Sequence, residues 1–155
     1  MRIERVLNMT PHEFYQAMRE SMAEQINAQL GKNLTAEDIR TGYTHKTRDA
    51  SRPDGPATRF TVRKAVPDQE LVIVHHSPNA RSITSYLLKE DPKGCSMIYE
   101  QRTDYLNEKM QPKKGRLFIS DLLRTGKINR ELTGLEIRVQ KNRDKQKKEE
   151  AKKQK

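Results

Sequence analysis

The 155-residue sequence contains no tryptophan, one cysteine, eight Phe or Tyr residues and no strictly apolar run longer than Leu71–Val74. Each shortage excludes something. With Cys95 alone, no intramolecular disulfide forms and no multi-thiolate metal site is available. A four-residue apolar run falls far short of the roughly 20 residues that cross a bilayer. The opening Met1-Arg-Ile-Glu-Arg-Val-Leu-Asn lacks the long apolar region of a signal peptide, so a cytoplasmic location without membrane insertion is expected. Only 33% of residues are apolar and the mean hydropathy is −1.01, which limits one domain of this length to a modest core. Phosphate-cradling glycine loops, nucleophile–base pairs and paired buried carboxylates do not stand out, so no enzymatic activity and no cofactor are expected.

Acidic residues are scarce at one end. Residues 138–155 hold nine Lys or Arg against Asp144, Glu149 and Glu150, whereas the other 137 residues carry 22 basic and 18 acidic groups. Most of the net charge of +10 therefore belongs to the tail, and the body is electrostatically ordinary. The tail has no aromatic side chain for base stacking, so any nucleic-acid association through it is expected to be weak and nonspecific. Residues 141–155 hold one apolar side chain, Ala151, so removing them is expected to leave stability nearly unchanged.

What the chain does contain is periodicity that changes once. Arg2–Asn8 alternates as a first strand, with Ile3 and Leu7 on one face. Thr10-Pro-His-Glu then reads as a capping box with Pro11 at the first helical position, and capping accounts for Glu13. Phe14, Met18, Met22, Ile26 and Leu30 follow at four-residue steps, and Gly31 closes a helix over Thr10–Leu30. Thr35-Ala-Glu-Asp predicts a second, short helix ending near Gly42. From Tyr43 the period is two. Tyr43–Thr47, Thr58–Ala65, Leu71–His76, Ser82–Lys89 and Cys95–Tyr105 read as five strands, antiparallel neighbours joined by turns at 48–56, Pro67–Gln69, Pro78–Asn79 and Pro92–Gly94. Leu117–Val139 is helical in pattern, with Ile119, Leu122 and Leu123 in one apolar group and Ile128, Leu132, Leu135 and Val139 in another. Gly126 and Gly134 are expected to interrupt or loosen it. The expected architecture is α+β: about six strands curved around a long C-terminal helix, with two N-terminal helices. The domain spans 1–140, followed by a basic tail over 141–155 that reads as an extended helix end or as a flexible end.

An antiparallel sheet gripping a helix commonly encloses a cavity. Tyr43, Phe60, Tyr86, Tyr99, Gln101 and Leu122 are the residues expected to line one, since tyrosine offers an apolar ring with one hydroxyl. Met97 and Ser85 add room or polarity on the strands taken as concave, although which parity faces inward is left open by the pattern. Filling of the core by the same rings is the plainer alternative. His75 and His76 point to opposite faces and cannot share a metal. His45 approaches one of them with no Cys, Asp or Glu to complete a ligand set, so ordinary strand histidines are the better account and no metal is expected. Glu100, Arg102 and Asp104 alternate in sign on one strand face, and cross-strand ion pairs explain them better than acid–base chemistry.

The order strand, two helices, antiparallel strands, terminal helix resembles the START-like or SRPBCC helix-grip superfamily. Met1-Arg-Ile-Glu-Arg-Val-Leu-Asn, Phe14-Tyr15, Gly31-Lys32-Asn33-Leu34 and Gly42-Tyr43-Thr44-His45-Lys46 narrow the resemblance to the bacterial domain-of-unknown-function family 3284, over roughly residues 1–135. The resemblance implies the helix-grip fold and no assigned substrate or catalytic residue. Its genomic association with sugar phosphotransferase systems suggests a link to carbohydrate uptake. The wider superfamily spans carriers, cyclases and chaperone regulators, so fold alone does not select a role. The leading expectation is a non-enzymatic binding or sensing domain for an apolar or amphipathic small molecule held between sheet and C-terminal helix. The alternatives are an adaptor that docks a regulatory protein on the sheet surface, and an RNA-associated accessory protein acting through the tail.

Overall fold

A capping box starts the first helix where the sequence places it. In the computed structural model, which describes residues 1–48, 54–106 and 114–154 (the side chains of 114–124 excepted), the Glu13 amide donates to Thr10 Oγ1 at 3.1 Å. The Thr10 amide donates to Glu13 Oε1 at 2.9 Å. The helix, α1 (Pro11–Leu30), ends where Gly31 takes φ 64° and its amide reaches the Asn27 carbonyl. Thr10→Ala is therefore expected to cost about 1 kcal/mol, against a near-neutral Lys148→Ala on the exposed end of the chain. Urea midpoints of both variants measure this, and coincident midpoints would show that the cap contributes nothing.

Six strands form one antiparallel sheet. They are β1 (Arg2–Leu7), β2 (Thr44–Thr47), β3 (Thr58–Val66), β4 (Glu70–His76), β5 (Ala80–Asp91) and β6 (Gly94–Tyr105), in the spatial order β1-β6-β5-β4-β3-β2. Consecutive strands from β2 to β6 pair as hairpins, and the first strand returns to the last, Ile3 opposite Tyr99 and Leu7 opposite Cys95. With α1 and the long α2 (Lys114–Lys153), this is an α+β helix-grip fold. The second N-terminal helix shrinks to a single 3-10 turn, Ala36–Asp38. Asp38 holds the Thr35 amide at 2.8 Å, but Ile39 drops into the core and takes the chain out of helical geometry. The turn expected at 48–56 lies partly outside the described residues.

The register settles which parity faces inward. Leu71, Tyr86 and Tyr99 lie opposite one another on adjacent strands, as do Val62, Ile73, Thr84 and Gln101. Leu88 and Met97 continue the same face toward the buried Leu7, Met9 and Phe14. Ser85 belongs to the opposite face, paired with Val72 and Glu100, so its assignment to the concave side is corrected. The outer face carries the half-buried aliphatics Val72, Val74, Ile83, Leu87 and Ile98. It also bears the ion pairs Arg2–Glu100 at 3.6 Å and Arg102–Asp104 at 3.3 Å. A bulge between Val62 and Lys64 leaves Arg63 and Lys64 both exposed and returns Ala65 to the core, a shift that simple alternation along Thr58–Ala65 does not foresee. Cys95 is fully buried in β6, and burial pushes its thiol pKa up to about 11.

The terminal helix differs from expectation in two ways. It runs unbroken through Gly126 and Gly134, because both face open space and the buried stripe Ile128, Leu132, Leu135 and Val139 offsets the roughly 1 kcal/mol cost of each glycine. It also continues across residue 140 to Lys153. Beyond that point Arg143 reaches back to Glu13, Nε to Oε2 at 2.5 Å and Nη2 to Oε1 at 2.7 Å. Glu13 is thus held by a partner as well as by its cap.

Candidate functional site

The inward face of the sheet is graded along its strands. At one end, Leu88, Met97, Cys95 and Leu7 pack against Phe14, Ala17 and Met18 of α1, and these residues are buried. Toward the other end the inward side chains become polar and aromatic: Thr84 and Gln101 in one row, then His45, Phe60, His75 and Ser82 in the next. Over this end the helices do not close down on the sheet. A cleft of about 620 Å³ remains, floored by Phe60, Ile73, Tyr86 and Tyr99 and walled by Met18, Met22 and Gln25 from α1 and Ile128, Leu132 and Leu135 from α2. Its volume falls within the range of small-molecule sites.

Polar groups share the cleft with the rings and aliphatic side chains, and they differ in how they are satisfied. The Tyr99 hydroxyl donates to Gln101 Oε1 at 3.3 Å, and Gln101 Nε2 donates to Ser82 Oγ at 3.3 Å. Tyr86 packs edge-on to Tyr99, centroids 5.2 Å apart, while its hydroxyl has no hydrogen-bond partner among the described residues. Burial, then the neighbouring Tyr99 and Glu131, push the Tyr86 pKa far above the ordinary phenol value, so the hydroxyl is a fixed O–H. Lys127, Glu131 and Gly134 stand at the exposed mouth. Arg138 is committed to α1, with Nη1 3.0 Å from Glu24 Oε1 and 3.5 Å from Glu20 Oε2. Two helices that straddle the cleft are therefore tied to each other by charge.

A smaller cavity of about 220 Å³ adjoins the cleft and shares Met22, Gln25, Phe60 and His75 with it. His45 stacks on Phe60 with centroids 4.8 Å apart and 13° between planes, and His75 meets the other side of Phe60 edge-on at 5.3 Å. Burial lowers the pKa of both imidazoles, Lys32 and His75 adding to the effect on His45. Among the described residues no third His, Cys, Asp or Glu joins them in a metal-binding group.

Four of the six residues expected around a cavity meet there: Phe60, Tyr86, Tyr99 and Gln101 line the cleft. Tyr43 does not. Its hydroxyl bonds His45 Nδ1 at 3.0 Å and its ring meets Phe60 edge-on at 6.1 Å, so it supports the histidine from behind. The chain turns just before β2, which begins at Thr44, and this carries the Tyr43 ring out of the lining row. The Leu122 side chain lies outside the described residues. Sequence reasoning missed His75, Thr84 and the whole α1 wall. The stripe Phe14–Met18–Met22–Ile26 was legible, but periodicity does not tell a core residue from a cleft residue on one face.

Solved structures repeat the fold at low identity. The protein MLL2253 of Mesorhizobium loti has a TM-score of 0.59 at 16% identity, covering 87% of this chain and 94% of its own. An uncharacterised protein of Rhizobium leguminosarum scores 0.55 at 18% identity, covering 91% and 93%. Aha1 of Colwellia psychrerythraea, determined as a dimer in solution, scores 0.51 at 13% identity, covering 83% and 90%. None of the curated proteins matches the sequence. The family model described as Domain of unknown function (DUF3284) matches residues 1–119. The α2 wall of the cleft, Lys127–Arg138, lies beyond that match.

Proposed function

The chain belongs to the DUF3284 family, a domain of unknown function, and on that premise we propose that it is a non-enzymatic, cytoplasmic binding or sensing domain for a small amphipathic molecule seated in its cleft. The observation that carries this reading is a cleft of about 620 Å³ with aromatic and aliphatic side chains on its floor and walls, together with a Tyr86 hydroxyl that has no hydrogen-bond partner among the described residues. A ring-lined chamber gains free energy by excluding water, and a lone O–H that a ligand acceptor can satisfy orients what enters.

Leu135→Trp, which projects extra volume into the cleft from α2, is expected to weaken binding of the uncharged apolar fluorophore Nile red at least tenfold. The fold should remain intact by circular dichroism. Native mass spectrometry of the full chain from its own host is expected to show a retained small-molecule mass that the variant lacks. Equal dye binding by both proteins and no retained mass would sink the proposal. A protein-docking role for the outer sheet face, with its row of half-buried aliphatics, would then take its place.

A further inference from the structure

About a third of this chain is charged (34%), yet the smaller cavity has no Lys, Arg, Asp or Glu among the described residues of its lining. Its walls are Met22, Ile26, Gln25 and Gln29 from α1, and His45, Thr47, Thr58, Phe60 and His75 from the sheet. Several of these polar groups keep unused hydrogen-bonding capacity. Thr47 Oγ1 is taken by the Thr58 carbonyl at 3.5 Å, and Gln25 Nε2 by Ser21 at 3.3 Å. Gln29, the Thr58 hydroxyl and the His75 ring have no hydrogen-bond partner among the described residues, and His45 is engaged only through Nδ1. Amides, hydroxyls and neutral imidazoles each donate and accept, which matches a ligand group that also does both.

We infer that this cavity is the head-group subsite of the ligand whose apolar body occupies the main cleft, and that the head is uncharged and hydroxyl-bearing. The inference rests on the small-molecule reading of the cleft and specifies the ligand class. Phe60 and His75 wall both cavities, so the two adjoin and a single molecule has a short distance to span. A volume of about 220 Å³ suits a compact head and is too small for a whole ligand of ordinary size. An ionised head would find no counter-charge among the described lining residues to hold it in preference to water. The lowered pKa of both histidines keeps the lining neutral near pH 7. The charged groups facing them are Lys32, which acts on His45, and the two imidazoles themselves. A hydroxyl-bearing head exchanges bonds with water for bonds to Gln29, Thr58 and the ring nitrogens.

Three ten-carbon amphiphiles test the inference by calorimetry on the full chain below their micellar concentrations: monodecanoylglycerol, decanoate and decyltrimethylammonium. The glycerol ester is expected to bind at least tenfold more tightly than either ion. Thr58→Val and Gln29→Leu, tested separately, are expected to reduce that preference below about threefold while Nile red binding stays unchanged. Two variants on different elements guard against a folding defect in one of them. Equal affinity for all three heads, with Nile red still bound, would overturn the subsite and leave the cleft reading standing. Tighter binding of either ion would also overturn it. Failure of every amphiphile and of Nile red to bind would overturn the cleft reading and this inference together.

Discussion

Gly94→Ala is expected to destabilise the fold by about 3 kcal/mol, the sum of a backbone penalty and a steric one. Gly94 opens β6 at φ 135°, a region that side chains rarely adopt. A Cβ there would stand 2.4 Å from the Leu7 carbonyl oxygen, 2.8 Å from that of Met9 and 2.9 Å from the Met9 nitrogen. All three are backbone atoms of residues with buried side chains, so no flexible end can swing aside. The close approach is what lets β1 pair with β6 and pass directly into the capping box of α1. Gly126→Ala is the control with the opposite sign. It sits in α2 with open space around it, and alanine there is expected to stabilise by about 0.5–1 kcal/mol. Urea denaturation of both variants gives the two numbers. A Gly94→Ala protein within about 0.5 kcal/mol of the parent would show that the β1–β6 contact yields freely, contrary to this account.

Deleting residues 141–155 is expected to cost about 1–2 kcal/mol at pH 7, and Arg143→Ala alone to account for most of the loss. Sequence composition points the other way, because the segment holds one apolar side chain. The difference is the bidentate Arg143–Glu13 pair, whose side chains are 33% and 25% exposed. Arg143 above all, with the Thr10 cap, lowers the Glu13 pKa from an ordinary 4.5 to about 2, although burial works against it. Full conversion of that shift would give about 3 kcal/mol, and solvent screening at a partly exposed site reduces it. Because the folded pKa lies below the unfolded one, the stabilisation is complete above about pH 4.5 and is lost as pH falls toward 2. The gap between parent and Arg143→Ala should therefore narrow from pH 7 to pH 3, and shrink in high salt. A gap that is absent at pH 7, or unchanged at pH 3, would remove the pair from the account of stability.

Local chemistry was the legible part of this sequence. Thr10, Pro11 and Gly31 act within one helical turn of themselves, so their roles survive folding unchanged, whereas Glu13 adds to its cap a distant partner, Arg143, that no local pattern shows. The five strands from β2 to β6 were marked by turns at prolines and glycines, whose backbone restrictions are intrinsic. What was not legible depends on partners far away in the chain. The parity of β5, which alternation leaves open, is decided by Leu71 and Tyr99 on its neighbours, which set Tyr86 on the inner face and Ser85 on the outer one. The bulge near Arg63 inverts the pattern of β3 in its middle, and no residue there announces it. Gly126 and Gly134 look like helix breakers locally, but the buried stripe on another face of α2 outweighs them.

The site divides along the same line. Phe60, Tyr86, Tyr99 and Gln101 were accessible because strand alternation and ring chemistry identify a lining without its boundaries. His45 and His75 read as ordinary strand histidines rather than metal ligands, and their stacked arrangement around Phe60 depends on a pairing of three strands. Tyr43 stands one residue before β2 begins and packs beside the lining, against His45 and Phe60. The α1 wall was hidden because one helical stripe, Phe14 through Ile26, serves as core at its start and as cleft farther along.

The buried Cys95 gives this chain an internal clock. A thiol with a pKa near 11 and no exposed surface presents almost no thiolate to water. An alkylating reagent reaches it only when the core between β1, β6 and α1 parts, so the rate of modification counts those openings. Each molecule has one such thiol and is marked once. Occupants of the cleft that slow the marking must do so by holding the helices against the sheet, since Cys95 is not among the residues that line it.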